Sequence, residues 1–118
     1  MLINLSNHPS GKWSKEQVEA AWRYGEVYDM PFPVVNPGAS HEDVQSLAER
    51  YVEEIVSLAE KGNIVVHVMG EMTFSFMVIS LLKQRNISCV ASTTSRNTEE
   101  TDDGRKISDF RFVRFREY

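Results

Sequence analysis

At 118 residues the chain amounts to one domain, and its 42% apolar and 25% charged residues are those of a globular protein. One cysteine, Cys89, excludes an internal disulfide; no apolar run approaches the roughly 18 residues of a membrane span; and the opening MLINLSNHPSG lacks the basic and apolar regions of a signal peptide. With 17 acidic against 13 basic residues, non-specific duplex binding is disfavoured, so the expectation is a soluble, cytoplasmic domain over residues 1–118 with neither duplex DNA nor membrane as partner.

Leu2-Ile3-Asn4-Leu5 reads as a short strand, broken by Asn7-His8-Pro9-Ser10-Gly11. Ser14 to Gln17 has the form of a capping box, and Val18, Ala21 and Trp22 give the following helix an apolar face that ends at Gly25. Val27 to Met30 is a second strand, stopped by Pro31-Phe32-Pro33. Ser40-His41-Glu42-Asp43 caps the longest helix, whose stripe is Val44, Leu47, Ala48, Tyr51, Ile55 and Leu58. The nearly continuous apolar run Ile64 to Met69 suits a central parallel strand, and Gly70 punctuates it.

Thr73 to Arg85 is helical and apolar on most sides, as for a helix sandwiched against a sheet. Ile87 to Ala91 is the fourth strand and runs into Ser92-Thr93-Thr94-Ser95-Arg96. Asn97 to Gly104 reads as a polar, acidic loop, and Ile107 to Phe115 as the last strand, with a β-bulge near Phe112 where the alternation slips. Alternating strands and helices with right-handed crossovers predict an α/β, flavodoxin-like three-layer sandwich of sheet order 2-1-3-4-5, with the last strand antiparallel at the edge.

Charge is unevenly spread. Glu16 to Glu60 holds ten carboxylates and two cations, whereas Arg105 to Arg116 holds five cations and one carboxylate, so a basic site can coexist with the net charge of −4. In an open α/β sheet the ligand sits beyond the carboxyl ends of the strands where the order reverses, here between strands 1 and 3. Three segments reach that rim: Ser6 to Gly11, Gly70-Glu71-Met72-Thr73, and Ser92 to Arg96. The amides after Gly70, at a helix start, form a candidate anion site, although no Walker or G-x-G-x-x-G motif is present; Glu71 fits an acidic first-turn residue there, or accepts from a ribose or an adenine amino group. His8 can serve as a general acid or base, or simply bond its own turn. The hydroxyls of Ser92, Thr93 and Thr94 and the fork of Arg96 suit phosphate oxygens, or form a polar turn. His67 is expected to be buried in its strand and Cys89 to pack in the core; the histidines are too scattered for a zinc signature, so no metal is expected.

The stretches Asn4-Leu5-Ser6-Asn7-His8-Pro9, Val66 to Thr73, Ala91 to Arg96 and the ending Phe112 to Tyr118 resemble small ancillary proteins of type III CRISPR systems, compact relatives of the CARF (CRISPR-associated Rossmann-fold) domains. The resemblance implies a homodimer, or a higher assembly, that binds a cyclic oligoadenylate such as cyclic tetra-adenylate. It needs no cofactor, and some relatives cleave the ring without a metal by 2′-OH attack. On that reading His8 is general acid or base, and Arg96 with the amides after Gly70 stabilises the phosphorane. Thr73, Ser92 and Thr94 hold phosphates, Glu71 contacts ribose or base, and Ser6, Asn7, Gly70, Met72 and Thr93 complete the wall. The alternatives are a non-catalytic sponge for the ring and a protein–protein interaction subunit without nucleotide.

Overall fold

Strand β1 (Leu2–Ser6) lies inside the sheet, flanked in parallel by β2 (Val27–Asp29) and β3 (Val65–Met69). β4 (Ser88–Glu100) adds in parallel to β3, and β5 (Lys106–Glu117) runs antiparallel to β4, giving the order β2-β1-β3-β4-β5. This computed structural model describes residues Met1–Tyr118. The sheet is the expected α/β arrangement, a Rossmann-like sandwich with helices on both faces.

The two faces are covered unequally. Helices α2 (His41–Ala59) and α3 (Met72–Gln84) share one face, where Val44, Ala48, Val52, Ile55, Phe74, Val78 and Leu82 meet Ile3, Leu5, Val66, Val68 and Cys89. Ser40 and Asp43 close a reciprocal capping box at the start of α2. The opposite face carries only α1 (Lys15–Ala21), capped by Ser14, whose hydroxyl accepts from Gln17 N–H. At about 1.5 Å per residue those 7 residues span roughly 10 Å. They cover the smaller cluster of Leu2, Trp13, Ala21, Val90 and Phe115 and leave the carboxyl ends of β1 and β3, with Ser92 and Thr94 of β4, open on that side.

Two apolar expectations are corrected. Trp22 begins a 3₁₀ turn after α1 and is 65% exposed, because the helix ends one residue earlier. Helix α3 packs on β3, β4 and α2 but is not enclosed: Met72 and Phe76, on its outer side, are 83% and 72% exposed. No helix is long and apolar enough to cross a membrane.

The last two strands depart furthest from expectation. Asn97–Glu100 is strand, and so are Ser92–Arg96, because the alternating apolar residues of β5 give them a ladder partner. Only Ser88, Cys89 and Val90 of β4 pair with β3, so the rest of the hairpin projects as a two-stranded arm with a tight turn at Thr101–Arg105. Gly104 supplies the left-handed residue of that turn, φ 81°. The expected bulge is present: Thr93 pairs with Arg114 and Thr94 with Phe112, leaving Val113 unpaired. The arm accounts for a radius of gyration of 16.3 Å, against about 13–14 Å for a compact chain of this length.

Gly70 is required for space. A Cβ there would lie 2.3 Å from Phe32 Cζ, and the Phe32 ring is itself held edge-on by Phe74, centroids 5.2 Å apart. Gly70→Ala is expected to cost about 1–3 kcal/mol by displacing that ring. Urea unfolding of the single variant and of Gly70→Ala combined with Phe32→Leu checks this, because the shorter side chain should restore most of the loss.

Candidate functional site

The uncovered carboxyl ends form a cleft of about 670 Å³, within the usual range for ligand sites. Its floor is Ser6, His67, Met69 and Ser92, one wall is Asn7, His8, Lys12, Trp13, Ser14, Glu16 and Gln17, and the other is Thr94, Phe110, Arg111 and Phe112 of the arm. One wall is thus polar, with Lys12 and Glu16 as its charged groups, and the other is largely aromatic with Arg111 beside the rings.

A buried hydrogen-bond network supports the floor. β1 and β3 are in register, with Asn4 opposite His67, and period-2 alternation puts Asn4, Ser6 and His67 on the α1 face. Asn4, 2% exposed, donates through Nδ2 to Asp29 Oδ1 at 2.8 Å and to the His8 carbonyl at 3.0 Å. Its Oδ1 accepts from Ser6 Oγ at 2.8 Å and lies 2.9 Å from His67 Nδ1. His67 Nε2 lies 3.2 Å from Ser92 Oγ. The rings of Trp13 and Phe115 pack edge-on against the imidazole.

Burial lowers the pKa of His67 to about 4, with repulsion from His8 as the lesser cause, so the ring is neutral at pH 7. Asp29 responds to opposed influences. Its burial would raise the pKa, but hydrogen bonds from the Ser10 hydroxyl, the Asn4 amide and Ser10 N–H together lower it. The His8 carbonyl also accepts from Trp13 Nε1 at 3.1 Å. The backbone of His8 is therefore anchored while its side chain stands exposed at the cleft.

Ser6, Asn7, His8, Ser92 and Thr94 meet in this cleft as expected. Thr93 does not; it faces the other side of the ribbon, and its hydroxyl donates to the Arg114 carbonyl. Arg96 lies out on the arm, where its guanidinium stacks 5.6 Å from the Phe110 centroid and donates to Ser108 Oγ. The cations lining the cleft are Lys12, which forms no salt bridge, and Arg111, which pairs with Asp109 at 3.0 Å.

The expected anion site after Gly70 is corrected as well. Glu71 caps α3 with its own carboxylate, which accepts from Phe74 N–H at 2.8 Å, Thr73 N–H at 3.1 Å and the Thr73 hydroxyl at 2.7 Å. Those bonds, the Phe74 amide first, hold the Glu71 pKa below its usual value. The helix start is already satisfied by an internal anion, and neither Glu71 nor Thr73 reaches the cleft. Gly70 and Met72 border a separate apolar groove with Phe76, Ile79 and Tyr118.

Asn4, Lys12, His67 and Phe110 were not expected in the site. The signal for two of them was present: Asn4 and His67 are polar residues on one face of otherwise apolar strands.

The chain belongs to the Uncharacterized protein MJ1673 family, whose profile matches residues 1–116. No curated protein and no solved structure matches it.

Proposed function

We propose that the cleft binds a cyclic oligoadenylate, cyclic tetra-adenylate foremost, as the resemblance to small CARF-like proteins of type III CRISPR systems implies. The observation that supports this is the pairing of a polar, Lys12-bearing wall with an aromatic Phe110–Phe112 wall at the sheet's switch point. A nucleotide needs both: donors and a cation for its phosphate, and a flat apolar surface for its base. Two copies related by a twofold axis would offer two such clefts to a twofold-symmetric ring.

Ring opening is a second reading, favoured by the exposed His8 imidazole at the cleft wall. The ribose 2′-OH attacks the adjacent phosphorus, the P–O5′ bond breaks, and a 2′,3′-cyclic phosphate forms. His8 takes the 2′-OH proton or protonates the leaving O5′.

Titration of labelled cyclic tetra-adenylate followed by product analysis tests both. Saturable binding with the ring recovered intact identifies a sequestering protein. Linear product that disappears in His8→Ala identifies the nuclease. Lys12→Ala should weaken binding about tenfold, or ~1.4 kcal/mol. Absence of binding to any cyclic oligoadenylate leaves the reading without support and favours a protein–protein interaction subunit.

A further inference from the structure

The hydrogen-bond chain under the cleft has a direction. Asn4 Nδ2 faces two groups that only accept, the Asp29 carboxylate and the His8 carbonyl, so the amide cannot be reversed. Asn4 Oδ1 is therefore the atom facing His67 Nδ1, and Nδ1 must carry the imidazole proton. The ring is buried between Trp13 and Phe115 and has no carboxylate against it, so it is neutral and Nε2 bears a lone pair. Ser92 Oγ has two acceptors within reach, Nε2 at 3.2 Å and Met69 Sδ at 3.0 Å, and its single proton goes to the imidazole nitrogen, because a thioether sulfur is the weaker acceptor. The Ser92 N–H is occupied as well, turned to Met69 Sδ at 3.3 Å. What Ser92 presents to the cleft is lone-pair density.

We infer that Ser92 meets a ligand as a hydrogen-bond acceptor and selects a donor, an exocyclic amine or a sugar hydroxyl, rather than a phosphate oxygen. The inference rests on the nucleotide reading above for its ligand, but its polarity rests only on the chain from Asn4 to Ser92. It reverses the role expected of this serine: a phosphate oxygen placed against Oγ would set acceptor against acceptor, while an adenine amino group or a ribose 2′-OH completes the chain. Phosphate oxygens are left to the wall that carries Lys12.

Two measurements test this. The first needs no ligand. In ¹⁵N spectra of the imidazoles at pH 7, assigned with His8→Asn and His41→Asn variants, His67 should be a neutral Nδ1–H tautomer. An Nε2–H tautomer or a charged ring overturns the inference. The second compares wild type with Ser92→Ala on three rings: cyclic tetra-adenylate, its inosine analogue lacking the amine, and its 2′-deoxy analogue.

Wild type should bind one analogue about tenfold more weakly than the parent, and Ser92→Ala should abolish that preference. Loss of the preference against inosine identifies the amine as the donor, and loss of the preference against the deoxy ring identifies the hydroxyl. An equal effect of Ser92→Ala on all three rings, or none on any, overturns the inference. If no ring binds while the tautomer is as assigned, the cyclic-nucleotide reading falls and the acceptor at Ser92 stands.

Discussion

Lowering the pH from 7 to 4 is expected to cost the fold roughly 3 kcal/mol through a single side chain, His67. Its pKa is lowered from 6.5 to about 4 by burial, with His8 adding a smaller repulsion. Between those values the unfolded chain binds a proton that the native state refuses. Stability is therefore full above about pH 6.5 and falls steadily towards pH 4; further acid adds nothing through this residue. The carboxylates of Asp29, Glu71 and Asp103 are shifted the other way, to lower pKa values. Their contribution is present above the ordinary carboxylate pKa and is lost as the pH falls through their folded values, so it lies below the His67 window. Urea midpoints recorded from pH 7.5 to 4.5 should slope in the wild type and flatten in His67→Gln. A wild-type midpoint that holds constant over that range would contradict the buried neutral imidazole.

Asn4→Ala should destabilise the protein by about 3–5 kcal/mol, more than a typical polar substitution. The side chain joins β1 to β2 through Asp29, to the following turn through the His8 carbonyl, and to β3 through His67. Truncation removes these bonds and strands the Nδ1–H of His67 in a space where Asn4 is 2% exposed and water has little access. Asn4→Asp should fare no better, because it sets a second carboxylate where Asn4 Nδ2 now lies 2.8 Å from Asp29 Oδ1. Denaturant titration gives the stability loss, and the pH dependence separates the two variants: only the aspartate, placed against the imidazole, should raise the pKa of His67.

The sheet order was legible because each strand of the body carries its own signal. The apolar run Val65–Met69 marks a strand covered on both faces, and the Ser14 and Ser40 caps fix where the intervening helices start. The bulge was legible from the slip in Phe and Val spacing around Val113. The arm was not. Ser92–Glu100 has the composition of a loop and becomes strand only because β5 supplies a ladder, a long-range cause that local composition does not contain. That error carried Arg96 to the switch point in the sequence reading, whereas in the fold it lies six residues past Val90, the last β4 residue that pairs with β3.

Glu71 was legible as an acidic helix-start residue, but not as the occupant of the anion site. Acidic residues at a helix start and empty anion sites share the same backbone context, and only the fold shows the carboxylate turned back onto the amides. The apolar run around His67 predicts a buried ring, and the fold buries it, but burial alone does not reveal that one ring nitrogen lies within hydrogen-bond distance of a serine lining the cleft.

The projecting ribbon gives the cleft one firm side and one compliant side. Beyond Val90 the two strands have no third strand beside them, and from Thr94 to Phe110 nearly every residue is exposed. Such a segment deforms and frays at little free-energy cost, while the Asn4–His67 floor shifts only with the whole sheet. A guest therefore finds its polar contacts fixed in place and its aromatic contacts on a wall that can swing towards it. Guests of differing girth can share the same floor, at the cost of ordering the ribbon each time.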